Sequence, residues 1–184
     1  METEEPRELS SLLGDQLPLD PDYAVSIILG CCTAGAALGD LRWWSESLGL
    51  DWSPLPAHIL VSQDRKVRMR PHGIQPPRSF AYLSPKRADG APWDERGWVF
   101  AFGAVLWEML AGQPLFAAAN DYATVVKVRA ARVPPLRDVP PALDAIVRKA
   151  LARDPALRYQ TLAELAAALV ALAPAREPGS PYRT

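Results

Sequence analysis

Two stretches of this chain are apolar on nearly every side. The first covers residues 24–38 and the second residues 98–107. In the first, Val25, Ile28, Leu29, Cys32 and Ala36 leave almost no polar face, which predicts a largely buried helix over about residues 21–41. Asp20 or Asp22 can cap it, with Pro21 at a tolerated first-turn position. In the second, Trp98, Val99, Phe100, Phe102, Val105, Leu106, Met109 and Leu110 predict a central helix over about residues 94–111, closed by Gly112. Three further helices are expected over about residues 122–131, 141–152 and 162–172. Asp121, Pro140–Pro141 and Thr161 mark their starts, and Thr161 followed by Glu164 has the form of a capping box. A short helix is expected over residues 7–13. Residues 58–62 and 66–70 read as two strands joined through Gln63, Asp64 and Arg65 into a hairpin. Residues 42–56 are irregular, and residues 71–92 are mostly loop. The fold class is therefore mainly α with one small β-hairpin, several helices packing about a central one.

Composition narrows the classes of function. At 184 residues with 49% apolar and 22% charged side chains, one packed domain is expected. The net charge of −1 provides no basic field for phosphates, so nucleic acid is not an expected partner. The two cysteines, Cys31 and Cys32, are adjacent on an apolar stretch. They read as core filler in a reducing compartment, without metal-ligand spacing. Residues 1–6 are acidic and polar, unlike a signal peptide, and neither apolar stretch reaches the ~18 residues of a membrane span. A soluble, cytoplasmic protein is expected, with no membrane partner.

Three groups of residues carry candidate chemistry. His58 and His72 are the only histidines, and a metal pair weighs less than two structural or solvated side chains, because no cysteine or placed carboxylate joins them. Arg65, Lys66, Arg68 and Arg70 form a basic run that reads as a solvated face before it reads as a phosphate site. Trp43, Trp44 and Trp52 are either a partner surface or a plug of apolar packing.

Residues 82–86 (YLSPK), 98–112 (WVFAFGAVLWEMLAG) and 151–159 (LARDPALRY) follow one another in the order and spacing of a known lobe. They resemble the C-lobe of bacterial Ser/Thr protein kinases: the end of the activation segment, the central buried helix, and the turn before the last helix. The first half stays in register. Residues 58–61 resemble the strand after the catalytic loop, residues 67–74 the strand leading into the metal-binding DFG, and residues 7–14 the helix after the hinge. The resemblance implies a kinase C-lobe-like domain over residues 20–173. Residues 1–19 precede it as a segment with a short helix, residues 174–184 follow as a flexible tail, and the N-lobe is expected to be absent.

Against that resemblance, the parts that phosphoryl transfer needs are missing. In the stretch matching HRDxxxxN, residues 51–58, Ser53 stands where the proton-accepting Asp belongs, and His58 stands where the metal-binding Asn belongs. In the DFG position, Pro71 and His72 replace the Asp and the Phe, and only Gly73 is kept. Mg²⁺ prefers hard oxygen ligands, which neither His58 nor Pro71 offers. Lys86 replaces the Glu that pairs in the family with an arginine matching Arg158, and Asp154 or water is the expected substitute acceptor. Trp98 replaces the helix Asp that braces the catalytic loop. The reading is a catalytically inactive, pseudokinase-type chain with no cofactor. It would act as a scaffold or regulator that binds another protein: an active kinase, a kinase substrate or an N-lobe-like chain. The alternatives are half of a split kinase completed in trans, and a decayed remnant.

Overall fold

The structure, a computed structural model, describes residues 6–15, 17–37, 55–70, 79–92 and 94–172. Its centre is the helix α4, Glu95–Ala111, and every residue of α4 from Gly97 to Leu110 is buried. Asp94 starts it, its carboxylate accepting the Gly97 N–H at 2.8 Å. Gly112 ends it at φ 70°, a left-handed conformation that costs glycine nothing, and its N–H reaches the Glu108 carbonyl at 3.0 Å. Burying each large apolar side chain here stabilises the fold by about 1.5–3 kcal/mol. Trp98 meets Phe102 edge-on with ring centroids 5.8 Å apart, and Phe100 stacks on Phe116 at 5.7 Å.

Around α4 pack α2 (Pro21–Ala37), α6 (Pro141–Ala150) and α7 (Leu162–Val170). Asp20 caps α2 by accepting the Tyr23 N–H at 3.1 Å. At α7 the Thr161 hydroxyl accepts the Glu164 N–H at 3.0 Å, while the Glu164 carboxylate takes the Gln160 N–H at 2.8 Å. The expected capping box is thus shifted by one residue on its return bond, because Gln160 brings its own N–H into reach. Helix α5 (Asp121–Ala130) is capped by Asn120. The helices lie where the apolar periodicity puts them, to within one or two residues at each described end.

Two expectations need correction. Residues 7–13 are not one helix: Arg7–Glu8 form strand β1, and α1 spans Leu9–Asp15. The sheet is accordingly three-stranded, in the order β1-β2-β3, with β2 at Ile59–Val61 and β3 at Val67–Met69. A two-residue strand carries no periodicity of its own, and its pairing partners Val61 and Leu60 lie far along the chain. Part of the expected 71–92 loop is also helical. A 3₁₀ turn covers Ser79–Tyr82, and α3, Pro85–Ala88, is started by the Ser84 hydroxyl accepting the Arg87 N–H at 3.3 Å.

Register decides the two faces of the sheet. Ile59 pairs with Met69 and Val61 with Val67, and these side chains pack toward the core. Glu8, Leu60 and Arg68 are paired across the three strands on the other face. Helix α2 crosses the inner face so closely that a Cβ on Gly30 would sit 2.6 Å from the Val67 Cβ. No helix among the described residues is long and apolar enough to cross a membrane.

Candidate functional site

The residues singled out from sequence fall into two groups. His58, Lys86, Trp98 and Arg158 are described by the structure. Ser53, Pro71, His72, Gly73, Trp43, Trp44 and Trp52 lie outside the described residues.

His58 closes a 3₁₀ turn, Pro56–His58, that Pro56 helps set by its fixed φ. The turn delivers the chain into β2. The His58 N–H donates to the Leu55 carbonyl, its own carbonyl accepts the Arg70 N–H, both at 2.8 Å, and the residue is 5% exposed. Its imidazole is therefore enclosed. Among the described residues no cluster of three His, Cys, Asp or Glu side chains is placed to hold a metal.

Arg158 is where the structure corrects the sequence reading most. It is 3% exposed, so it does not sit in water. Its guanidinium donates to three backbone carbonyls: Nε to Ala152 at 2.6 Å, Nη1 to Arg96 at 3.1 Å and Nη2 to Arg153 at 3.0 Å. Its plane lies 4.7 Å from the centre of the Phe100 ring. Asp154 is not its hydrogen-bond acceptor, since that carboxylate starts the 3₁₀ turn Pro155–Leu157 by accepting the Ala156 N–H at 2.9 Å. Burial lowers the Arg158 pKa to about 10; Asp94 and Asp154 oppose that shift and Arg96 adds to it. Lys86 is exposed on α3. Carbonyl dipoles and an aromatic face thus hold the buried guanidinium, with no carboxylate hydrogen bond to it among the described residues.

Trp98 is wholly buried, against Phe102 and beside Gly35, where a Cβ would come within 3.7 Å of the indole. The contacts given for Trp98 are thus apolar. Sequence reasoning passed over one buried acid on the same helix. Glu108 is 5% exposed; its Oε2 accepts the Tyr82 hydroxyl at 2.8 Å and its Oε1 accepts the Leu115 N–H at 2.9 Å. Burial raises its pKa, and these two hydrogen bonds pull it back. The signal was available: Glu108 is a lone acid inside a run of apolar residues.

The cysteines are buried free thiols, as expected of core filler. Burial, then Cys32, raises Cys31 well above its ordinary value; burial, then Glu95, raises Cys32 to about 12. Both are protonated near neutral pH and are poor nucleophiles. On the outer face of the sheet, Arg70 reaches across β2 to Glu8 at 2.6 Å. Lys66 pairs with Asp64 at 2.6 Å, while Arg65 in the adjoining turn stacks on Tyr23 of α2, 5.0 Å from the ring centre, and so leaves the outer face. This face is polar and rich in cations.

No family model matches the chain. Its relatives among curated proteins place it by class: they are bacterial serine/threonine protein kinases, and the chain is homologous to a partial region of them. In particular, it is 34% identical over 185 aligned residues to the serine/threonine-protein kinase PknB of Mycolicibacterium smegmatis, covering 89% of this chain and 28% of that protein. To PknB of Mycobacterium tuberculosis it is 30% identical, over 94% of this chain and 30% of the relative. To the probable serine/threonine-protein kinase CE0033 of Corynebacterium efficiens it is 30% identical, over 92% of this chain and 28% of the relative. The chain spans less than a third of the length of these relatives.

Proposed function

We propose that the chain corresponds to the C-lobe of the kinase fold, that it does not transfer phosphate, and that it acts by binding another protein. One observation carries this reading. At the three positions matched to the general base and the two metal ligands, the chain has Ser53, His58 and Pro71 in place of two aspartates and an asparagine. A serine hydroxyl without an activating partner is a poor base near neutral pH. A prolyl side chain offers Mg²⁺ nothing, and an imidazole is a poor exchange for an amide oxygen. The apolar packing of Trp98 and the carbonyl cage of Arg158 fit a lobe whose active-site braces have been replaced by plain packing. The partner class that follows is a protein of kinase signalling: an active kinase, a kinase substrate or an N-lobe-like chain.

The test is a thermal-shift titration with millimolar Mg-ATP, alongside a phosphate-incorporation assay on a generic Ser/Thr substrate. No shift and no incorporation are expected. A saturable Mg²⁺-dependent shift, or incorporation that disappears with S53A, would overturn the reading.

A further inference from the structure

Among the described residues β3 is an edge strand. Its hydrogen-bonding phase is set at both ends: the Ser62 N–H donates to the Lys66 carbonyl at 3.0 Å, and the Arg70 N–H donates to the His58 carbonyl at 2.8 Å. In an antiparallel ladder that phase turns the backbone groups of residues 66, 68 and 70 toward β2 and those of Val67 and Met69 outward, off the edge. The strand alternation that packs Val67 and Met69 toward the core puts Lys66, Arg68 and Arg70 together on the opposite face. The edge therefore combines outward N–H and C=O groups with three cations on one side. Two of these cations already carry an acid: Arg70 reaches across β2 to Glu8, and Lys66 pairs with Asp64 in the turn, each at 2.6 Å. Both pairs are exposed, so each is a weak contact that an incoming carboxylate can exchange for its own. Arg68 is exposed and has no hydrogen-bond or ion-pair partner among the described residues.

A row of lysine and arginine on an edge deters pairing with apolar or basic strands. The same row attracts a strand that carries acids at the matching positions, since opposite charges side by side on one face favour the pairing. We propose that the edge of β3 is a docking strand for an extended acidic segment of a partner protein. That segment adds to the sheet as a fourth strand, with carboxylates at alternate positions beside Lys66, Arg68 and Arg70. The proposal rests on the reading of the chain as a protein-binding module and supplies the chemistry of what it binds.

Fluorescence anisotropy with the full chain and a fluorescein-labelled peptide of alternating threonine and glutamate tests it. Saturable binding in the micromolar range is expected, weakened at least tenfold by R68E and by K66E. Both side chains are exposed, and circular dichroism will verify that the variants fold. Two control peptides separate strand addition from bare charge attraction. One has the same composition with its glutamates in a block, and the other is N-methylated at alternate amides along the edge that would face β3. Both are expected to bind at least tenfold more weakly. No saturation at millimolar peptide, binding indifferent to R68E, or equal binding by the two control peptides would overturn the proposal. A chain that bound the peptide but transferred phosphate would keep this inference and lose the reading in the previous subsection, so the two fail separately.

Discussion

At the scale of single residues, Arg158 shows how a buried charge is held without a carboxylate hydrogen bond among the described residues. Three carbonyls and one aromatic face hold it, so the cost of its burial is met by dipoles. Replacing it with methionine keeps the volume but strands three acceptors, and R158M is expected to lose about 3 kcal/mol in urea unfolding. R158K is expected to recover only part of that, because an ammonium cannot span three divergent carbonyls. Glu108 makes a prediction about pH. Its carboxyl titrates above its ordinary value in the fold, so the fold favours the protonated form. That contribution is complete below the unfolded value near ~4.3 and is lost as pH rises through the folded value. E108Q, whose amide can accept from Leu115 and donate to the Tyr82 oxygen, should remove the loss. Melting temperatures of E108Q relative to the native chain are therefore expected to rise between acid and neutral pH. E108A, which orphans the Leu115 N–H, is expected to cost about 1–3 kcal/mol. Arg158 was legible in the sequence through the family resemblance, but its acceptors were not. Backbone carbonyls carry no side-chain signature, and the three converge only once the turn at residues 152–158 packs against the start of α4, which supplies the Arg96 carbonyl.

At the scale of elements, the helices were legible because each has a face or a cap that the sequence writes down locally. Asp20, Asp94, Thr161 and Gly112 all act where their chemistry places them. Removing one such cap, as in T161A, is expected to cost about 1 kcal/mol in denaturant unfolding. Strand β1 was not legible. Its two residues owe their conformation to partners on β2, and nothing in their own spacing separates them from the start of α1. The contact between α2 and β3 is equally invisible locally. G30A is expected to cost about 1–3 kcal/mol through the clash with Val67, and V67A should relieve part of it in a double-mutant cycle. Strict additivity of the two changes would show that α2 and β3 are not pressed together as described.

Across the whole molecule, the apolar stretches around α2 and α4 announced the core, and Cys31, Cys32 and Trp98 are buried within it. The candidate site was legible mainly as a set of replacements against a family pattern. Of those positions, the structure places His58 in an enclosed turn, Lys86 at the surface, and Trp98 and Arg158 inside. Because both thiols sit within the core and are held protonated, their labelling by a disulfide reagent should follow global opening. Labelling rates are expected to rise with urea in parallel with the unfolding constant. Fast labelling in native buffer would instead show that α2 opens locally.

The ion pair between Arg70 and Glu8 joins residues 62 apart in the chain, and the short strand carrying Glu8 is held by the same sheet. Closing a loop of that length costs entropy before any contact repays it, an amount that grows as the logarithm of the loop length. The first strand is thus expected to zip last during refolding and to fray first under denaturant. Amide exchange at Arg7 and Glu8 would then report a partly opened species, one in which the helical core is intact while the sheet is reduced to its hairpin.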